Sequence, residues 1–219
     1  MINWRGLWLP ENETHLLGWM KANGHYRDGA PTYQYHKYEE ALKQCKQKRV
    51  AIDVGGNLGL WSRVMSLDFE QVKAFEPVAD YCDYFKLNAP NAQLFNVALG
   101  NESGSITMAC ATNGSCGDTS PMTDPENEII VAENVEMIPL DAYNFKNVDF
   151  IKIDCEGYEL NVLKGAIETI IENQPVIIVE QKPGHGQKFG YADDASAQYP
   201  QEFGMKVHKV ISGDYIMVW

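Results

Sequence analysis

Short apolar runs alternate along most of the chain with stretches whose apolar residues recur at helical spacing. Val50-Ala51-Ile52-Asp53-Val54 breaks into Gly55-Gly56-Asn57-Leu58-Gly59, after which Leu58, Trp61, Val64 and Met65 share one helical face. This reads as strand, tight turn and helix. Val72 to Phe75 forms a second strand closed by Glu76-Pro77, and Asp80 to Leu87 a helix with Tyr81, Tyr84, Phe85 and Leu87 on its apolar side. The pattern predicts a third strand over Gln93–Ala98, a fourth over Val148–Asp154 and a fifth over Val176–Glu180. Between the last two, Leu160, Leu163, Ile167, Ile170 and Ile171 make one amphipathic helical stripe. Met205–Ile211 and Asp214–Trp219 flank Ser212-Gly213 as a closing hairpin. Strands and helices in such alternation predict an α/β fold, a mostly parallel sheet covered on both faces.

Two regions depart from this rhythm. Residues 1–47 read as a helical, aromatic-rich extension of a main domain spanning 48–219. One helix starts near Glu11-Asn12-Glu13-Thr14 and is stopped by Asn23-Gly24, a second covers His36 to Lys46, and Tyr26 to Tyr35 loops between them. The extension either caps a sheet edge or lends that loop to substrate binding. Between Ser105 and Ile138, three segments (Ser105–Ala109, Glu128–Val131 and Val135–Ile138) look like antiparallel or edge strands. The polar tract Ala111–Asn127 reads as a mobile loop near the substrate.

Composition narrows the function classes. A chain of 219 residues, 45% of them hydrophobic, suits one domain with a sizeable core. Its formal net charge of -12 argues against a nucleic-acid partner, which calls for a basic face. No apolar run approaches the roughly 20 residues needed to cross a bilayer. The first residues, with Trp4, Arg5, Glu11 and Glu13, lack a signal-peptide core, so the expectation is a cytoplasmic protein without stable membrane insertion. Homo-oligomerisation stays open. Cys45, Cys82, Cys110, Cys116 and Cys155 form no C-x-x-C pair, which predicts free thiols rather than a disulfide framework or structural zinc.

In open α/β sheets ligands bind beyond the carboxyl ends of the strands, where Asp53, Glu76, Asn96, Asp154 and Glu180 all fall. The glycine turn is not the G-x-G-x-x-G of a dinucleotide site. Asp53 would repel a pyrophosphate but would accept a hydrogen bond from an ammonium group, which suits the amino-acid end of S-adenosylmethionine. Gly55, Gly56 and Gly59 permit close backbone approach, and the N–H groups opening the helix face the ligand. Glu76 lies 23 residues after Asp53, close to the spacing at which an acid reaches a ribose diol. Asn96 suits either an adenine edge or a turn.

These residues resemble the FkbM-type S-adenosylmethionine-dependent methyltransferases. The likeness rests on Ile52-Asp53-Val54-Gly55-Gly56-Asn57-Leu58-Gly59, Phe75-Glu76-Pro77 and Asn96-Val97-Ala98-Leu99. Most specific is Ile151-Lys152-Ile153-Asp154-Cys155-Glu156-Gly157-Tyr158-Glu159, running into Val162-Leu163-Lys164-Gly165-Ala166. Gly56 stands where that family more often has alanine. The resemblance implies a Rossmann-like, seven-stranded methyltransferase fold with a terminal antiparallel strand. It also implies S-adenosylmethionine as cofactor, held by Asp53, Gly55, Gly56, Asn57 and Gly59 at the methionine end, Glu76 at the ribose, and Asn96 and Val97 at the adenine. O-methylation of a hydroxyl on a sugar, glycan or natural product follows as the expected reaction. Asp154 is the first candidate to position or deprotonate the acceptor, Glu156 the second and His185 the third. Asp154, Glu156 and Glu180 are oxygen donors, yet no ligand pattern demands a metal and none is assigned. Two alternatives stay open, an N-methyltransferase of a small molecule and a non-catalytic cofactor-binding module. A nicotinamide oxidoreductase is disfavoured by the missing dinucleotide turn.

Overall fold

The computed structural model describes residues 1–111, 120–121 and 129–219. The chain opens with β1 (Ile2–Trp4) and β2 (Leu7–Leu9), followed by α1 (His15–Asn23), β3 (Tyr26–Arg27), β4 (Ala30–Pro31) and α2 (Tyr35–Leu42). Both expected helices form, with Gly24 closing α1 in the left-handed region. Two hairpins accompany them. Trp4 pairs with Leu7 and Arg27 with Ala30, so the connecting pairs Arg5-Gly6 and Asp28-Gly29 are two-residue turns with every φ positive. That geometry is the one hairpin twist favours, and Asp-Gly is among its strongest signals.

The main sheet is built from β5 (Val50–Val54), α3 (Leu60–Met65), β6 (Gln71–Phe75), α4 (Ala79–Asn88) and β7 (Gln93–Phe95). A second, smaller sheet interrupts: β8 (Ala98–Leu99), β9 (Gly104–Ala111), β10 (Ser120–Pro121) and β11 (Ile129–Ile138). The chain then returns through β12 (Val148–Ile153), α5 (Glu159–Lys164), α6 (Ile167–Asn173), β13 (Val176–Glu180), α7 (Ala195–Gln198), β14 (Lys206–Ile211) and β15 (Asp214–Val218). Seven strands lie in the order β7-β6-β5-β12-β13-β15-β14, with β15 alone running against its neighbours. This is the expected mostly parallel sheet with a terminal hairpin.

Strand alternation splits the core between the two faces. Ile52, Val54, Ile151, Ile153, Ile177 and Val179 pack on one side with Val162, Leu163 and Ile170. Ala51, Phe150, Ile178 and Ile216 pack on the other with Tyr38, Trp61, Val64 and Met65. A buried Lys37–Asp214 ion pair of 2.8 Å ties α2, in the N-terminal extension, to the last strand.

Three expectations are corrected. The third strand stops at Phe95, because the Asn96 side-chain amide donates to the Glu76 and Pro77 carbonyls and bends the chain away. Ala98 and Leu99 then pair with Met137 and Ile138 in the smaller sheet. The stripe from Leu160 to Ile171 is two helices, not one. A Cβ on Gly165 would run into the Gly100 carbonyl, and the Asp141 carboxylate accepts from the Glu168 and Thr169 N–H groups to start the second helix. The segments around Val131 and Val135 belong to one continuous strand. The loop expected over Ala111–Asn127 falls almost wholly outside the described residues, as do the side chains of Cys110 and Cys116; Cys45, Cys82 and Cys155 are free thiols. Among the described residues no helix is long and apolar enough to cross a membrane.

Candidate functional site

The carboxyl ends of β5, β6, β12 and β13 open into a cavity of about 550 Å³, within the range of small-molecule and cofactor sites. One wall is apolar, with Phe75, Val97, Leu99, Ile106 and Met108. The far end is polar, with Asp154, Glu156, Glu180, Lys182 and His185. The N-terminal extension closes one side through His15, Tyr33 and Gln34.

The glycine turn is locked in place from several directions. Gly55 has φ +76, and a Cβ there would collide with the Asp154 carbonyl, so the turn of β5 and the end of β12 approach as only glycine allows. The N–H groups of Gly55 and Gly56 both donate to the Phe75 carbonyl. Glu76 is almost wholly buried, and its two oxygens accept from the Asn57 and Val78 N–H groups at 2.7 and 2.8 Å. Burial outweighs those bonds and pushes its pKa up to about 7. A carboxylate oxygen can take more than one such bond, so Glu76 is suited to meet a ligand's hydroxyls.

Under the turn lies a charge cluster that sequence reasoning passed over. Register sets Lys152 beside Asp53 on adjacent strands. The buried Lys152 ammonium is 3.3 Å from Asp53 and 3.6 Å from Asp154, donates to the Gly55 carbonyl, and lies over the Trp61 ring. Burial disfavours its charge, but the two carboxylates prevail and raise its pKa. Asp154 is likewise pushed up by burial and more than pulled back down by Lys152, Lys182 and Lys37, so it stands below the usual carboxylate range. The signal was legible: Lys152 is a charge set between Ile151 and Ile153 in a buried strand, which is tolerated only when paired.

The polar end combines groups with displaced titrations. Glu180 is pushed up to about 9 by burial and by Asp154, while Glu156 is pushed up to about 7 by burial and the same neighbour. Lys182 bridges toward both, 2.7 Å from Glu180 and 3.9 Å from Glu156. His185 Nδ1 stands 3.3 Å from a Glu156 oxygen, and burial with Lys182 and Lys188 lowers its pKa. Tyr33, arriving from the N-terminal extension, is raised to about 12 by burial and then by Asp154.

Of the residues expected to touch the cofactor, Gly55, Gly56, Asn57, Glu76 and Val97 line the cavity, as do the catalytic candidates Asp154, Glu156 and His185. Three do not. Asp53 is fully buried beneath the turn, holding Ser62 Oγ at 2.7 Å and Lys152. Gly59 stands behind the wall, where a Cβ would press on Phe85 and Ala89. Asn96 spends its amide on the carbonyls that end β6.

The family model for the methyltransferase FkbM domain matches residues 53–207. The chain belongs to the FkbM methyltransferase family. Its cofactor is S-adenosylmethionine. A curated relative, the hexuronic acid methyltransferase AglP of Haloferax volcanii, is 29% identical over 147 residues, covering 65% of this chain and 60% of the relative. The chain thus spans somewhat over half the length of that relative. Among solved structures, the FkbM methyltransferase of Methylobacillus flagellatus superposes with a TM-score of 0.49 at 17% identity, over 78% of this chain and 43% of that one. Monomeric WbdD superposes with a TM-score of 0.54 at 10% identity, over 96% and 46%. That similarity concerns the fold.

The residues present fit the family's cofactor. The cavity pairs an apolar wall suited to a purine with a buried carboxylate that keeps acceptor capacity for a ribose, below a turn whose backbone is exposed to the cavity.

Proposed function

We propose that this FkbM-family protein is an O-methyltransferase acting on a sugar, and within that class on a sugar acid. Gly55, Gly56 and Asn57 hold the methionine end of the cofactor, Glu76 its ribose, and Val97 with Phe75 and Leu99 its adenine. Asp53, Gly59 and Asn96 act from behind these contacts, fixing the turn and the strand ends. Bound there, the cofactor supplies a methyl group made electrophilic by its sulfonium.

The chain's own task is to orient an acceptor oxygen and take its proton. Asp154 suits this best, and its environment is the observation that carries the reading. It is a carboxylate at the cavity edge, kept ionised by a buried lysine, beside the turn that holds the reactive end of the cofactor. The Asp154 carboxylate would accept the acceptor's O–H hydrogen bond, orient that oxygen and take its proton as the cofactor supplies the methyl group. A cation at this end, Lys182 in the structure as it stands, suits a substrate that carries a carboxylate, in keeping with the hexuronic acid named for the AglP relative.

The test is methyl transfer from isotopically labelled cofactor to a panel of uronic acids, neutral hexoses and aminosugars, with the product's methyl located by mass spectrometry and NMR. The reading expects uronic acids to be preferred, a methyl on oxygen, and a loss of roughly 100-fold or more in kcat for Asp154→Asn. Methylation of the aminosugar nitrogen, or an Asp154→Asn variant as fast as wild type, would overturn it.

A further inference from the structure

The polar end of the cavity contains a second feature that methyl transfer to oxygen does not require. Glu156 follows the end of β12, Glu180 ends β13, and His185 lies in the loop after β13. Their donor atoms converge, one from each residue, within 4.8 Å of one another. Oxygen and nitrogen ligands around one ion at about 2.0–2.4 Å are separated by at most about 4.8 Å, so a single divalent ion is commensurate with the three.

One feature marks the cluster as unfinished, and the local backbone keeps its donors in place. Glu180 is almost wholly buried, and its Oε2 is shut off from solvent without a hydrogen-bond partner; His185 Nδ1 has only the Glu156 carboxylate beside it, at 3.3 Å. Buried polar atoms left unpaired are costly and rare in folded proteins. The local backbone also holds the donors in place. Glu156 takes a left-handed φ of +52, and Gly157 at φ +111 lets the His185 carbonyl approach where a Cβ would block it. Tyr158 packs edge-on against Phe189, joining the loops that carry Glu156 and His185. The cation now facing the carboxylates is Lys182, whose side chain is 43% exposed on a flexible stem and free to swing outward.

We propose that Glu156, Glu180 and His185 form a binding site for one divalent cation of the Mg²⁺ or Mn²⁺ class, displacing the Lys182 ammonium. Two carboxylates and one neutral imidazole, with the remaining positions open to water or substrate oxygens, suit ions that favour oxygen-rich, octahedral coordination. Binding of the ion stands on these residues alone. Its use rests on the methyl-transfer reading: an ion at this end would hold the acceptor's oxygens and make an acceptor hydroxyl more acidic beside Asp154.

The experiment is titration of the chelator-treated protein with Mn²⁺ in the absence of cofactor, read by electron paramagnetic resonance of the free ion, with Mg²⁺ as competitor. Wild type should bind one equivalent. Glu180→Gln and His185→Ala should each weaken binding at least tenfold, whereas Lys182→Met, which removes the resident cation, should tighten it several-fold. Circular dichroism of each variant confirms that it is folded. Absence of one-equivalent binding by folded wild type, or affinity unchanged in Glu180→Gln and His185→Ala, would overturn the site. A protein that methylates its acceptor fully in chelator while failing this titration would leave the methyltransferase reading intact and remove only the ion.

Discussion

Replacing Lys152 by methionine deletes one charge while keeping nearly the same volume, so it isolates the buried cluster under the glycine turn. In the native protein the ammonium stands 3.3 Å from Asp53, which is fully buried, and 3.6 Å from Asp154, whose side chain is 25% exposed. Without it, Asp53 keeps only the Ser62 hydroxyl, at 2.7 Å. Breaking a buried ion pair by removing one partner costs about 3–5 kcal/mol, because the other charge stays behind unpaired. With a urea m-value of about 2 kcal/mol per molar for a domain of this size, the midpoint should fall by roughly 2 M. Asp53→Asn in the Lys152→Met background removes the orphaned carboxylate and should restore about 2 kcal/mol, a coupling that a double-mutant cycle reads directly. The assay is urea unfolding followed by tryptophan fluorescence on all four proteins. A cost below about 1 kcal/mol for Lys152→Met, or no coupling to Asp53, would refute the argument that this pair anchors the turn.

Other outcomes follow from the same geometry. Gly55→Ala should destabilise the fold by about 2–4 kcal/mol, combining a left-handed φ with a Cβ forced against the Asp154 carbonyl, and thermal melts at fixed protein concentration check it. Glu76 has a native pKa of about 7 against an ordinary 4.5. Between those values the native state keeps a proton that the unfolded chain has released, so stability falls as pH rises through that window, by roughly 3 kcal/mol for this group, and is flat above it. Denaturation midpoints from pH 4.5 to 8 should therefore show a shallower decline for Glu76→Gln than for wild type, and parallel curves would contradict the assignment.

Much of the fold was legible because it is written in periodicity. Strand alternation, the amphipathic helix faces and the Gly-rich turn each follow from local sequence, and together they leave little freedom in strand type. What escaped depended on tertiary contacts or on short signals given little weight. The break between α5 and α6 comes from a backbone approach between Gly165 and Gly100, residues far apart in sequence. The shift of Ala98 and Leu99 into the smaller sheet depends on the Asn96 amide finding the Glu76 and Pro77 carbonyls. The hairpins at Arg5-Gly6 and Asp28-Gly29 join strands of only two or three residues, too short to show alternation.

The site divides in the same way. Residues recognisable by strand-end position, Glu76, Asp154 and Glu156 among them, do line the cavity. Asp53 occupies a strand end too, but its side chain points into a face that α3 covers through Ser62, so its influence is exerted through Lys152 and the turn. Tyr33 and His15 reach the cavity from the N-terminal extension. Tyr33 belongs to the Tyr26–Tyr35 loop already offered for substrate binding, whereas nothing local marks His15, whose position depends on how the extension packs against the main sheet.

The most direct test of the account is calorimetric titration of the protein with S-adenosylhomocysteine, comparing wild type with Glu76→Ala and with Val97→Trp, which fills the cavity from its apolar wall. The account predicts micromolar binding to wild type and at least tenfold weaker binding to each variant, about 1.4 kcal/mol or more. Equal affinity across all three proteins would place the cofactor elsewhere, and no binding to folded wild type would contradict the assignment of this cavity.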